Sequence, residues 1–435
     1  MLDALSASQK PSYNIGGLRS KSVEGKKPKV LDLFAGAGGL SEGFIKAGCE
    51  IVGHIEMDKN ACDSLATRMI FHALDKMGKI SEYKKYILGK MTRDEIIEKY
   101  SLQRERDSVI CAKVDGDNYL DLIQEIKIRL GGQKLDIVVG GPPCQAYSYI
   151  GRARDQHGMR RDDRNFLYKY YIEFLKAFKP KIFVFENVPG LQSAGKGKYL
   201  ADMRKLMKDA GYTTDYRVVN AVDYGVPQNR KRIILVGWSS ESKLEQYPFF
   251  PKSNRDYITS EFFTDLPKIQ AGEGKKIVEN FKTENKLLKK IGISNSRINV
   301  LMDHAARPNN LRDLEIYRLG VLAKNNGENI KYNDLPKRLK NHKNETGFLD
   351  RFKVVDFSTK GSHTVVAHIS KDGHFYIHPD LKQNRSLTVR ETARLQTFPD
   401  DYKFEGNRGS QYRQIGNAVP PLLSKIIASE LVKYL

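Results

Sequence analysis

A doubly wound α/β fold with a second, smaller and less regular domain is predicted by three features of this sequence of 435 residues. Apolar runs of strand length alternate with helix-period segments from Lys29 to Trp238, the pattern of strands interleaved with crossover helices. The first run leads directly into a glycine-rich turn that opens a helix, as at the start of a βαβ unit. After Trp238 the texture changes to FPKSNRDY, QAGEGKK and KNNGEN, short elements punctuated by Gly, Asn and Lys.

Taken in order, KVLDLF predicts the first strand, a short helix runs through Ile45, and EIVGHIEMD predicts a second strand that ends in acids. Residues 63–107 lose strand character and carry helical periodicity with dense charge, so they read as a helical insertion. SVICAKVD, LDIVVGG, PKIFVFEN and RKRIILVGW supply further strands, and NFLYKYYIEFLKAF and KYLADMRKLMKDAG supply helices between them; five or six parallel strands result. The chain is expected to divide into a flexible basic leader over 1–28, an α/β domain over 29–238, a second domain with its hinge over 239–408, and a closing segment over 409–435 that contains the helix PLLSKIIASELVKYL.

Composition narrows the class of protein. With 73 Lys plus Arg against 52 Asp plus Glu, the net charge of +21 favours a polyanionic partner such as nucleic acid. Residues 239–384 hold 25 basic and 18 acidic side chains, so the excess is spread along the chain and marks no groove. The four cysteines, Cys49, Cys62, Cys111 and Cys144, form no C-x-x-C pair and no Cys/His run at zinc spacing, which argues against a disulfide framework and a structural metal. No apolar run reaches membrane-spanning length and the N-terminus lacks a secretory h-region, so a cytoplasmic, nucleoid-associated protein is expected.

Chemistry concentrates at predicted strand ends. In DLFAGAGGLSEGF, glycines 36, 38 and 39 lie between strand and helix, where backbone can approach a ligand closely. A dinucleotide fingerprint counted from Gly36 fails, since Ser41 stands at its third glycine position. Glu56, 20 residues past Gly36, sits where a carboxylate can hold both hydroxyls of a ribose, which fits an adenosine-bearing cofactor. In GGPPCQAYS, Cys144 follows a strand behind two stiffening prolines; it could be a packing thiol or a nucleophile. FVFENVPG leaves Glu186 at the next strand end, and VPQNRKRIILVG brings Gln228, Arg230 and Arg232 by period two to another. A thiol, a carboxyl and fixed positive charge around one cleft suit thiol addition to an electron-poor ring.

These segments, with RSLTVRETARLQTFPD and QYRQIGNAVPP after them, occur in the order in which they occur in the DNA cytosine-5 methyltransferases, and the chain resembles that family, in its bacterial or phage form, over most of its length. The resemblance implies a Rossmann-like domain that binds S-adenosylmethionine, with a target-recognition domain in the irregular region and the C-terminal segment returning to the catalytic domain. It implies that Cys144 attacks C6 of a flipped cytosine, that Glu186 contacts and protonates N3, and that Arg230 and Arg232 steady the base and the neighbouring phosphates. For the cofactor it implies Phe34 on the adenine, Gly36, Gly38 and Gly39 around the methionine part, and Glu56 on the ribose. Met57, Pro143, Leu167 and Asn417 complete the pocket, and Asp117 meets the adenine amino group, with Asp115 close enough to compete. Gln145, Ser148, Arg164 and Gln228 are implied to face DNA, and residues 146–164, with Gly151, Gly158 and several arginines, read as a mobile loop.

The partners implied are duplex DNA and a cognate restriction endonuclease linked in function; the enzyme is expected to be a monomer without a metal. The two histidines of HFYIH are taken as strand residues rather than ligands. An RNA-methylating relative, a catalytically dead DNA-binding relative and an NAD-dependent oxidoreductase are the rival readings. The long recognition region, the intact Cys144 and glycine loop, and Ser41 argue against them in turn.

Overall fold

The computed structural model describes residues 27–143, 166–254, 257–294, 297–341 and 346–435. Its centre is a sheet of seven strands: β1 (Lys29–Leu33), β2 (Glu50–Glu56), β3 (Val109–Cys111), β4 (Ile137–Gly140), β5 (Ile182–Asn187), β6 (Thr213–Asn220) and, after the two-residue β7 (Gln228–Asn229), β8 (Lys231–Trp238). The order across the sheet is β3-β2-β1-β4-β5-β8-β6. β1, β2, β3, β4 and β5 pair in parallel, and β8 runs antiparallel to both β5 and β6. The sequence reading of five or six parallel strands is corrected twice here. β6, TTDYRVVN, is a half-exposed edge strand whose polar residues hide it from an apolar pattern. β8 reverses direction because the ten residues 221–230 contain no α-helix and are too short for a parallel crossover.

Helices cover both faces. α1 (Gly39–Lys46) follows β1, and α2 (Lys59–Lys76), capped by Asp58, follows β2. α3 (Ile80–Ile87), α4 (Arg93–Tyr100) and α5 (Gln103–Asp107) make the rest of the helical insertion. Its Phe71, Tyr83 and Ile96 share a core with Ile298, Val300 and Met302, so the insertion joins the first region to the second. α6 (Tyr119–Leu130), α7 (Leu167–Phe178) and α8 (Lys198–Asp209) cover one face of the sheet through Ile126, Phe174 and Met203.

The second region contributes β9 (Gly274–Glu279) paired with β10 (Val300–Ala305), helices α9 (Lys286–Ile291) and α10 (Leu311–Asn325), and the two-residue β11 (Ser362–His363), which pairs in parallel with β7. HFYIH forms a turn with two isolated bridges at Ile377, to Val354 and Ser386, rather than a strand, because its side chains turn inward: His374 meets the Tyr317 hydroxyl at 2.8 Å and His378 is buried. Leu244 and Phe250 still pack in the core of the large sheet.

Three last helices bring the chain home: α11 (Val389–Leu395), α12 (Arg408–Asn417) and α13 (Pro421–Leu431). α13 lies against α1 so closely that a Cβ on Gly43 would stand 2.4 Å from the Lys425 amide nitrogen. Around α11 the guanidinium groups of Arg385, Arg390 and Arg394 are all buried. Arg390 donates to the carbonyls of Met302, Pro399 and Tyr402, and Arg394 reaches Phe262 O, Asp265 and Asp400. Glu391 takes two bonds of 2.7 Å from Arg385 and closes a capping box with Thr388. Burial resists the Glu391 charge, but Arg385 outweighs it and holds the carboxyl far below its usual range. Removing one partner strands a buried charge, so Glu391→Ala is expected to lower unfolding free energy by about 3–5 kcal/mol, read as a lower urea midpoint.

Candidate active site

The parallel strands all deliver their carboxyl ends to one edge of the sheet, where open α/β folds place ligands. A cavity of about 1430 Å³ opens along that edge. Phe34, Gly36 and Gly39 after β1, Glu56 and Met57 after β2, Asp117, Pro143, Leu167, Glu186, Arg232 and Asn417 all line it. The sequence thus marked residues that converge from elements as far apart as β1 and α12.

The turn after β1 is wound tightly: Phe34 has φ 56°, Gly36 φ 54° and Gly38 φ 68°. A left-handed phenylalanine is uncommon and strained, a feature that clusters at functional sites. A Cβ on Gly39 would stand 2.0 Å from the Val419 carbonyl oxygen, so glycine there is what lets the link between α12 and α13 close the cavity. Gly38 lies behind the wall as the N-cap of α1. Glu56 is locked by backbone: Oε2 accepts from Gly36 N at 2.8 Å, and Oε1 from Met57 N and Asp58 N at 2.8 Å each. A two-oxygen acceptor held so firmly needs no reordering to receive a diol. Asp115 also borders the cavity, but it accepts from Asp117 N at 3.2 Å and meets Lys113 at 3.3 Å. The Asp117 carboxylate has no partner among the described residues.

Glu186 and Arg232 face each other, Nε to Oε1 at 2.8 Å, each with a side chain only about one-eighth exposed. The reversed direction of β8 makes this meeting possible. Its amino end lies beside the carboxyl end of β5, with Glu186 registered to Ile234 and Asn187 to Ile233. Burial lowers the Arg232 pKa and the Glu186 charge opposes that fall. A Cβ on Gly141 would approach Glu186 Oε2 to 2.7 Å, so the second glycine of GGPPC makes room for the carboxylate.

Beneath the turn, Asp32 is fully buried and neither carboxylate oxygen has a hydrogen-bond partner among the described residues. Burial raises its pKa to about 7, offset in part by nearby Ser41, whose hydroxyl donates to Gly38 O at 3.1 Å. Because the folded value exceeds the unfolded one, ionisation of the unfolded chain drains stability as pH rises from about 4 to about 7. Asp32→Asn is therefore expected to be more stable than the wild type at pH 8, by at most about 4 kcal/mol, with the gain gone near pH 4. Thermal melts across that range check it.

Besides Gly38, two marked residues stand outside the cavity wall. Gln228 is buried, donating at 2.7 Å to Leu395 O and to Gln396 Oε1 and accepting from Val365 N at 3.0 Å. Arg230, also buried, donates to Val365 O at 2.7 Å and Gly416 O at 3.2 Å. Burial, then Arg232, disfavours the Arg230 charge. Cys144, Gln145, Ser148 and Arg164, with the loop 146–164, lie outside the described residues. Sequence reasoning missed Asn187, Arg413, Val366 and Ala367, which also line the cavity. Arg413 stands one helical turn before Asn417, a spacing that could have flagged it; Val366 and Ala367 carry no signal. Among the described residues no three His, Cys, Asp or Glu side chains gather as metal ligands, and no helix is long and apolar enough to cross a membrane.

The sequence matches the family described as C-5 cytosine-specific DNA methylase over residues 28–98 and 108–433. It is 40% identical over 442 residues to the type II methyltransferase M.Bpa9945I of Bacillus paralicheniformis, covering 92% of this chain and 97% of that one. It is 30% identical to the type II methyltransferase M1.HphI of Haemophilus parahaemolyticus, covering 93% and 86%. An Escherichia coli crystal structure, described as a DNA modification methyltransferase encoded within a prophage, superposes with a TM-score of 0.63 at 20% identity over 94% of this chain and 99% of that one, which speaks for the mostly parallel Rossmann-like fold of methyltransferases. The chain belongs to the C-5 cytosine-specific DNA methylase family and is a DNA (cytosine-5)-methyltransferase.

Proposed function

We propose that this enzyme methylates C5 of one cytosine within a specific site of duplex DNA, as the modification partner of a restriction endonuclease. The family's methyl donor is S-adenosylmethionine, and the residues around the cavity fit it. Phe34 and the exposed Met57 offer apolar faces for adenine, Glu56 a locked acceptor for the ribose, and Asp117 an unpartnered carboxylate for the adenine amino group.

The observation that carries the reading is the Glu186–Arg232 pair at 2.8 Å in the same cavity as Glu56 and Pro143, the residue before Cys144. As a thiolate, Cys144 adds to C6 of the cytosine, and Glu186 supplies a proton to N3, so that the electron pair pushed into the ring collects at C5. Arg232 keeps Glu186 oriented and offers fixed positive charge to the adduct. When bound, S-adenosylmethionine provides the methyl group that C5 accepts. Loss of the C5 proton to solvent, return of the N3 proton to Glu186 and expulsion of the Cys144 thiolate then restore the aromatic, neutral ring. A cytosine stacked in a duplex hides C6, so the base must leave the helix first. Gln228 and Arg230 serve by tying β7 and β8 to the segments at Val365 and Gly416, which hold the cavity's far wall.

The pairing with an endonuclease rests on the type II naming of the relatives. Transfer of tritiated methyl groups to duplex DNA but not to tRNA is the expected result, and bisulfite sequencing of DNA from expressing cells should show one protected sequence context. Labelling of tRNA alone would overturn the reading.

A further inference from the structure

Two cysteines that the proposed chemistry leaves unused stand together behind the cavity wall. Cys62 lies in the first turn of α2, and Cys111 ends β3. The parallel register sets Cys111 opposite Glu56, the residue proposed to hold the ribose. Both segments converge on the Glu56 carbonyl: Cys62 Sγ donates to Glu56 O at 3.3 Å, and the Ala112 amide, next along from Cys111, donates to the same oxygen at 2.8 Å. The two thiols are themselves hydrogen-bond neighbours. Their chain neighbours Ala61 and Ala112 line the cavity. A bond between these sulfurs therefore joins two stretches of its wall.

The pair is unequal. Cys111 is exposed and Cys62 is buried, so a small oxidant reaches Cys111 first. Burial, then the Cys111 thiol beside it, raises the Cys62 pKa and keeps that sulfur protonated and slow to react with solvent species. An accessible thiol backed by a second one is the arrangement that turns a sulfenic acid into a disulfide. Cys49 stands apart, buried in the core with Phe44 and Ile51.

We propose that Cys62 and Cys111 form a hydroperoxide-sensitive pair whose disulfide loosens the cavity's hold on S-adenosylmethionine. The proposal rests on the reading of this cavity as the cofactor site. The Cys111 sulfur attacks one oxygen of the hydroperoxide and the O–O bond breaks. One oxygen stays on sulfur as a sulfenic acid, and the other leaves, takes the thiol proton and, for hydrogen peroxide, becomes water. The Cys62 sulfur then attacks the Cys111 sulfur: the S–S bond forms, the S–O bond breaks, and hydroxide departs with the Cys62 proton as a second water. Two thiols are oxidised and one peroxide is reduced. A disulfide holds its sulfurs about 2.05 Å apart, so Cys62 must leave the Glu56 carbonyl and draw the first turn of α2 towards β3. Cys62 N donates to Asp58 O at 2.9 Å, and the Met57 and Asp58 amides hold Glu56 Oε1, so the ribose acceptor is displaced with it.

The test uses the full-length chain carrying Cys144→Ala, so that oxidation of the proposed nucleophile plays no part, treated with hydrogen peroxide and read by binding. Peptide mapping without reduction should find Cys62 joined to Cys111, with the protein lighter by two hydrogens. The affinity for S-adenosylhomocysteine by calorimetry should fall by at least about tenfold, since misplacing a positioning group by about 1 Å is costly. Dithiothreitol should restore both the free thiols and the affinity. With Cys111→Ser, or separately with Cys62→Ala, in the same background, peroxide should leave the affinity where it was. Unlinked Cys62 and Cys111 after treatment, a linked protein with unchanged affinity, or an equal loss in the Cys111→Ser protein would overturn the proposal. Failure of the reduced protein to bind S-adenosylhomocysteine at all would instead overturn the cofactor reading beneath it.

Discussion

Cys144→Ala is expected to reduce methyl transfer to DNA by on the order of 10⁴-fold or more, in line with nucleophile removal elsewhere. Without the thiolate no bond forms at C6, and C5 of an intact cytosine ring is too weak a nucleophile to take a methyl group at a useful rate. The cofactor cavity is built from other residues, so S-adenosylhomocysteine should bind the variant about as tightly as the wild type by calorimetry. Substantial turnover in Cys144→Ala would remove the nucleophile assignment.

Glu186→Gln is expected to lower kcat by about 10²- to 10⁴-fold, the usual worth of a positioned general acid. The amide fills the same space beside Gly141 and can still contact a ring, but it cannot deliver a proton to N3. The substitution also leaves Arg232, with a side chain 13% exposed, without the negative charge of its 2.8 Å partner. A thermal melt must accompany the kinetics, because a stranded buried charge destabilises the fold on its own account. Pairing Glu186→Gln with Arg232→Gln separates the two effects: the second change should recover stability and leave kcat low. Recovery of kcat along with stability would make Glu186 a structural residue only.

The part of the site proposed to hold the cofactor is marked in the chain because its determinants are local. A strand, a glycine turn and a helix within residues 29–46, and a carboxylate at the next strand end, are short-range patterns, and the structure gathers Phe34, Gly36, Gly39 and Glu56 around one cavity. Strand ends were equally readable, which is why Glu186 and Arg232 could be marked before their contact was known. The edge strand β6 was not, since only one of its eight residues is buried and they carry no apolar run.

What the sequence by itself determined was the α/β class, the order of the chemical segments and the residue types set at each strand end, all of which follow from spacing along the chain. Only the tertiary structure decided which of those residues meet. Gln228 and Arg230 look from their spacing like companions of Arg232, yet Arg230 spends its donors on carbonyls 135 and 186 residues away. Period two sets the face of a strand, but the partner on that face is chosen by segments that arrive from elsewhere. The antiparallel turn of β8 is a decision of the same kind. Hydrophobic patterns carry no direction, and it is the reversed strand that puts Arg232 beside Glu186.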